Sequence, residues 1–186
     1  MRKLVCFALC IVFAFSLCGC SKDKDNSKVK SNVNVEKYAL SGKMPEVDYA
    51  LGQDVDALLS DLDKLNAQLS SNAEHESLYM TYEIGERTII ATGEVNYYYN
   101  TDKKDDGISY IVNFGNAFGF EQGSILSDVK DKMENRGFSA ERKDVHSDDL
   151  FFLPMIDGLE VLEYKFKDRT VLFVFQNNCL CACSLF

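Results

Sequence analysis

The sequence predicts an α+β protein, with two helices packed on an antiparallel β-sheet, and three patterns support this fold class. Two segments, beginning at Val55 and Leu126, carry apolar residues at helical spacing. Short runs of β-branched and aromatic residues, interrupted by glycines and polar stretches, follow each segment and are typical of strands. The pairs Asp168-Arg169 and Asn177-Asn178 separate the last three runs in the manner of two-residue hairpin turns.

The two predicted helices differ in length. The first has one continuous apolar stripe, formed by Val55, Leu58, Leu59, Leu62, Leu65 and Leu69. The second has a shorter stripe, formed by Leu126, Val129 and Met133. Ser124 is the predicted N-cap residue of this second helix, and Gly137 marks its C-terminal end.

Eight strands are predicted around these helices. Their ranges are 77–84, 87–92, 94–100, 108–114, 138–142, 159–166, 170–176 and 179–186. If both late turns hold two residues, Phe166 pairs with Val171 and Phe175 pairs with Leu180. This register gives one apolar face for the helices, and a one-residue change in either loop would exchange the faces.

The opposite face of the last hairpin is the candidate interaction site. Its members are Leu172, Val174, Cys179, Cys181 and Cys183. In a regular strand, the three cysteines point to one face at a spacing that suits disulfides poorly. We interpret them as small core-facing hydrophobic residues, with a redox thiol or a three-thiolate metal site as alternatives. Because the last strand is apolar on both faces, we expect this second face to be covered or to bind a partner.

The N-terminus has the pattern of an export signal with a lipid attachment site. A positively charged start precedes an apolar run, residues 4–17, which is shorter than the roughly 20-residue helix that crosses a bilayer. The run ends in Leu17-Cys18-Gly19-Cys20, which resembles the lipobox of bacterial lipoproteins. The resemblance implies that residues 1–19 are cleaved off and that Cys20 carries a diacylglyceryl group. Two acyl chains anchor a protein stably, so we expect it on the extracytoplasmic side of a cell membrane.

Composition divides the remainder into two regions. Residues 20–43 are predicted to be the lipidated cysteine and a flexible polar tether, and residues 44–186 a globular domain. Residues 21–43 hold six lysines and three acidic residues, whereas residues 44–186 hold 12 basic and 26 acidic residues. A basic tether suits an anionic membrane surface, and an acidic body argues against nucleic-acid binding.

The domain also shows a possible internal repeat, 48–120 and 121–186. Each part has a glycine, a helix and a series of strands in the same order, and four positions align at a constant offset of 71 residues: Gly52, Val55, Leu58 and Leu62 with Gly123, Leu126, Val129 and Met133. This order resembles the tandem helix-plus-sheet domains of β-lactamase-inhibitory-protein-like proteins. It resembles more loosely the small outer-membrane assembly lipoproteins of the SmpA/OmlA type. The resemblance implies a protein-binding surface on an open sheet face rather than a catalytic pocket.

No catalytic signature is present, since G-x-S-x-G, Walker, H-E-x-x-H and G-x-G-x-x-G motifs are all missing from the sequence. We therefore expect a non-catalytic lipoprotein, without cofactor or metal, that binds a protein or peptide through the sheet face. The alternative is a thiol-based redox or metal-binding protein that uses the C-terminal cysteines. Among the other cysteines, Cys6, Cys10 and Cys18 would leave with the signal, and the lipid would occupy Cys20.

Overall fold

The computed structural model describes residues 33–70, 77–145 and 158–186, with side chains for all except residues 70 and 142–145. Within these residues the chain forms eight strands: β1 (Met80–Ile84), β2 (Arg87–Thr92), β3 (Val95–Asn100), β4 (Tyr110–Asn113), β5 (Glu141–Val145), β6 (Leu159–Phe166), β7 (Arg169–Gln176) and β8 (Cys179–Leu185). They form one antiparallel sheet in the order β1-β2-β3-β4-β8-β7-β6-β5. The α+β class is confirmed. The predicted ranges of β2 and β6 match, whereas β5 begins three residues later than predicted.

The helices of the described residues are α1 (Val35–Leu40), α2 (Val55–Ser70) and α3 (Leu126–Glu134), and Thr101–Asp106 forms a 3₁₀ helix. The sequence predicted α2 and α3 but not α1. The Asn34 side chain caps α1 by accepting a hydrogen bond from the Lys37 amide at 2.9 Å. Val35 and Ala39 are 0% exposed and belong to the main core. The packed body therefore starts with α1 rather than at Met44, and residues 20–32 of the predicted tether lie outside the described residues.

The three helices contribute to one main core on a single face of the sheet. The α3 stripe is buried as predicted, and so are Val55, Leu58 and Leu62 of α2. The α2 stripe does not stay buried to its end, because Leu65 and Leu69 are 48% and 43% exposed. The predicted N-cap of α3 is wrong, since Ile125 occupies that position and no side chain caps the helix.

The two late hairpins differ in how well the sequence predicted them. The β7–β8 turn is Asn177-Asn178 as predicted, with φ angles of 52° and 67°, and Phe175 pairs with Leu180. The β6–β7 turn is Lys167-Asp168 rather than Asp168-Arg169, so Phe166 pairs with Arg169 instead of Val171. The observed β6–β7 register therefore differs from the predicted one by two residues. Because side chains alternate with a period of two, the β6 and β7 side chains stay on their predicted faces.

The starts of α2 and α3 join the sheet through corresponding pairs of backbone hydrogen bonds. In the first pair, the Gly52 amide donates to the Ile108 carbonyl at 2.7 Å, and the Ile108 amide donates to the Gln53 carbonyl at 3.0 Å. In the second pair, Gly123 donates to Leu180 and Leu180 donates to Ser124, both at 2.8 Å. These bonds connect the start of α2 to the residues just before β4, and the start of α3 to the beginning of β8.

The middle of the sheet is the junction of β4 and β8. The paired residues are Ile111 with Leu185, Val112 with Ser184 and Asn113 with Cys183. Adding 72 to each β4 number and subtracting 72 from each β8 number exchanges the first and third pairs and maps the second pair onto itself. The junction therefore has local two-fold symmetry, with four strands on each side.

Candidate functional site

The five residues predicted as an interaction face lie on β7 and β8, near the middle of the sheet, and all are buried. Leu172 is 8% exposed, Val174 is 0% exposed, and each of the three cysteines is 2% exposed or less. Leu172, Val174 and Cys181 belong to a second apolar cluster, on the sheet face away from the helices. The burial of Leu172, Val174 and Cys181 shields this part of the sheet face from solvent.

A β-bulge disrupts the predicted cysteine row. The β7–β8 register shifts between Val174 and Phe175, so that Cys181 is an extra residue on β8. Past the bulge, Cys183 pairs with Phe173 and packs in the main core. Cys181 stays in the second cluster, where its thiol donates to the Val174 carbonyl at 3.3 Å. The expectation that these cysteines share one face is wrong, because the bulge reverses the alternation between them.

The chemistry of these cysteines does not favour a redox site. Burial, followed by the nearby Glu46 carboxylate, raises the pKa of the Cys183 thiol, which disfavours the reactive thiolate form. Cys181 and Cys183 are free thiols. Cys179 is disulfide-bonded, and neither of these two is its partner.

The second cluster contains a group of tyrosines whose rings interact. Tyr98 and Tyr110 are 1% and 9% exposed, and their rings meet edge to face at 5.8 Å. The Tyr110 hydroxyl donates to Ser184 at 3.1 Å. Burial raises the pKa values of Tyr98 and Tyr110, so both stay protonated and neutral. These tyrosines are therefore neutral, packed members of the apolar cluster on this face.

The described residues also bear on metal binding and on the anchor. They contain no group of three or more His, Cys, Asp or Glu side chains placed to hold a metal ion. In that same part of the chain, no helix has the length and apolar character needed to span a bilayer. Cys20 and the signal segment 1–19 lie outside the described residues.

Exposed apolar side chains occur instead along the first edge of the sheet. Leu78, Met80 and Ile84 are 38%, 51% and 43% exposed, and Tyr82, half-buried between them, packs on the second cluster. Since side chains alternate along a strand, Met80, Tyr82 and Ile84 share one face of β1. Among the described strands, β1 pairs with β2 alone. We call Leu78 and β1 together the β1 edge.

The start of the β1 edge is held by the C-terminal part of α2. The Asn66 side chain accepts from the Leu78 amide at 2.8 Å, and the Tyr79 hydroxyl donates to Asp63 at 2.7 Å. The bond to Asp63 is the main cause that raises the pKa of Tyr79. These contacts orient the strand while leaving its outer side without a neighbouring strand among the described residues.

Sequence reasoning placed a strand at residues 77–84 but did not identify it as an edge. The available signal was composition, since β1 reads Met-Thr-Tyr-Glu-Ile with one charge, whereas β5 at the other edge reads Glu-Arg-Lys-Asp-Val. The composition alone does not show which strand is terminal, because that depends on the pairing of β4 with β8.

Comparison with known proteins gave no relatives: no family model, curated protein or solved structure matches this chain.

Proposed function

We propose that this chain is a lipid-anchored extracytoplasmic lipoprotein that acts as a non-catalytic binding module of the cell envelope. The observation that carries the proposal is the sequence Leu17-Cys18-Gly19-Cys20 at the end of a short apolar run. Diacylglyceryl attachment at Cys20 supplies two acyl chains, enough for stable anchoring in the membrane. Residues 21–32 then separate the anchor from the first described residue, and a chain of that length reaches at most about 40 Å.

The properties of the body support binding rather than catalysis. Its free cysteines are buried, and its buried tyrosines are neutral. The Glu46 carboxylate has a structural contact: it accepts from the amides of Phe118 and Gly119, both at 3.0 Å, and so holds the loop before α3. An interaction protein requires only a stable scaffold with an accessible surface.

We further infer that 48–120 and 121–186 are tandem repeats of one helix-and-meander unit. The aligned glycines, Gly52 and Gly123, make corresponding hydrogen bonds to the sheet. The β4–β8 junction supports the same inference through its two-fold register. If two such units pair through β4 and β8, these two strands are no longer edges. One edge strand of each unit, β1 or β5, then remains at the end of the sheet.

Lipidation has a consequence for Cys179. Apart from Cys179, Cys181 and Cys183, the cysteines of the chain are Cys6, Cys10, Cys18 and Cys20. Signal cleavage and lipidation would consume all four, so the Cys179 disulfide would not be made within the mature chain. The proposal therefore predicts three thiols in the mature protein, at Cys179, Cys181 and Cys183.

The test combines mass spectrometry with thiol counting on protein purified from membranes. We expect an N-terminal peptide that starts at diacylglyceryl-Cys20, and three titratable thiols after unfolding without reductant. The Cys20→Ser variant should remain unprocessed, whereas Cys181→Ser should be processed normally and serves as the matched control. An unmodified Cys20 thiol, or normal processing of Cys20→Ser, would contradict the proposal.

A further inference from the structure

The β1 edge has the geometry of a site that accepts an additional strand. β1 ends the sheet, and its residues pair in register with β2 from Met80–Ala91 to Ile84–Arg87. A terminal strand directs about half of its backbone amides and carbonyls away from its neighbour. Four of the five β1 residues are exposed, and only Tyr82 is half-buried. Among the described residues, no strand pairs with the outer side of β1.

The β1 edge lacks the protection that sheet edges normally carry. Exposed edges are usually blunted by charged residues or proline, because they otherwise pair with other chains. β5 follows this rule with four charged residues, Glu141, Arg142, Lys143 and Asp144. β1 has only Glu83, and its exposed apolar side chains, Met80 and Ile84, continue the row begun by Leu78. An exposed apolar row beside an accessible backbone is the arrangement used in β-strand addition.

The charge around the β1 edge determines what kind of strand fits. Of the described residues, 44–70 and 77–100 contain 9 acidic and 2 basic side chains, whereas 121–145 and 158–186 contain 9 acidic and 8 basic ones. Glu83 lies on β1 itself, Asp63 lies on the helix packed beside it, and Glu86 follows in the β1–β2 turn. A second copy of this chain would bring the same negative charge to the edge, which disfavours self-pairing.

We propose that the β1 edge binds an extended segment of a partner protein in which apolar and basic residues alternate. The backbone of this segment pairs with the outer side of β1. Its apolar side chains pack along Leu78, Met80 and Ile84, and its Lys or Arg side chains lie on the other face, towards Glu83 and Asp63. This inference rests on the proposed binding function and specifies the surface and the chemistry of the partner.

The experiment uses the mature lipidated protein in detergent and two short synthetic peptides. One peptide alternates Val and Lys, and the other alternates Val and Glu. By fluorescence anisotropy we expect the Lys peptide to bind at least about tenfold more tightly than the Glu peptide. Added salt should weaken binding of the Lys peptide, because ions screen the attraction between exposed charges. Equal binding of both peptides would overturn the proposal.

Two isoleucines of equal exposure provide the matched variants. Ile84 lies on the β1 edge and Ile125 precedes α3, and both are 43% exposed. We expect Ile84→Gln to weaken binding of the Lys peptide by about tenfold and Ile125→Gln to leave it unchanged. Similar losses from both variants would overturn the site assignment. Melting curves of the two variants report whether each still folds.

Hydrogen exchange identifies strand addition directly. The Lys peptide should slow amide exchange in β1 and leave β5 unchanged, because only the β1 amides gain partners. Slower exchange in β5 instead of β1 would overturn the proposal in favour of another binding surface. A dimer, seen by light scattering, that Ile84→Gln dissociates would overturn it in favour of pairing with a second copy of this chain. Failure of the anchor would appear separately, in the mass of the Cys20 peptide, whatever the peptide result.

Discussion

The two halves of the sheet share one core but differ in how much strand surface they bury. β8 is buried at all seven of its positions and β7 at five of eight, whereas β1 has no buried position. The difference follows from position, since β8 and β7 lie near the middle of the sheet and β1 lies at its end. β7 and β8 therefore supply much of the buried strand surface, whereas β1 supplies an accessible edge.

The two edges of the sheet differ as well. β5 ends the second half with charges of both signs, whereas β1 ends the first half with an apolar row in a strongly acidic region. Two edges with equal roles would be expected to carry similar protection. The charged residues of β5 match the protection that is usual at a sheet edge, whereas the apolar row of β1 is the feature on which the proposed binding site rests.

The largest expected effect tests the role of β7 in the main core. Phe173 on β7 is 0% exposed, and its ring meets the rings of Phe118, Phe120 and Tyr164 at 6.2, 5.3 and 5.9 Å. Phe173→Ala removes these contacts and leaves a cavity. We expect it to lower the free energy of unfolding by about 4 kcal/mol, as measured by urea denaturation.

The matched comparison for this variant is Ile84→Ala on β1. Because Ile84 is 43% exposed, we expect its truncation to change the free energy of unfolding by no more than about 0.5 kcal/mol. A cost at Ile84 close to that at Phe173 would mean that the β1 edge is part of the core, and the contrast between β7 and β1 would not hold.

Much of the fold could be predicted because its strands and turns have local signals. The β-branched and aromatic runs gave β2 and β6 correctly, and the Asn177-Asn178 pair gave a turn that needs positive φ at both residues. Lys167 also has positive φ, at 53°, but lysine gives no such signal, so the β6–β7 turn was misplaced by one residue. The helix α1 was missed because a short helix with two buried residues, Val35 and Ala39, is hidden in a polar, lysine-rich stretch.

The candidate site could be predicted less well, because it depends on pairing between distant segments. Residues 179–183 are apolar or small at every position, so alternation does not reveal the bulge at Cys181. Without the bulge, Cys181 and Cys183 share a face, and with it they do not. The identity of β1 as an edge depends in the same way on the β4–β8 junction, which links residues about 70 positions apart.

The second prediction uses a difference between the two helix–sheet junctions. Gly107 has a φ of 76°, and a Cβ there would lie 2.7 Å from the carbonyl oxygens of Gly52 and Gln53, where α2 meets the sheet. At the corresponding place in the second half, 72 residues later, the chain has Cys179. We expect Gly107→Ala to lower the free energy of unfolding by about 3 kcal/mol, through backbone strain and the clash together.

The control for the Gly107 variant is Gly93→Ala. Gly93 has a similar φ of 68° in the β2–β3 turn, but a Cβ there would meet nothing within 4 Å. We expect it to cost about 1 kcal/mol, the strain alone. Equal costs at both positions would show that the α2 junction tolerates a side chain, as the second junction does, and that this difference between the halves has no energetic consequence.

The smallest expected effect tests whether α1 belongs to the core of the second half. Val35 and Ala39 are buried in the main core, and α1 packs against β6 and β7. Asn34→Ala removes the bond from the Lys37 amide to the capping side chain and should lower the free energy of unfolding by about 1 kcal/mol. Asn34→Ser keeps a capping oxygen and should retain most of the stability. If the wild-type protein and both Asn34 variants unfold at the same urea concentration, the capping of α1 does not contribute to stability. The stable domain would then begin near Met44, as the sequence predicted.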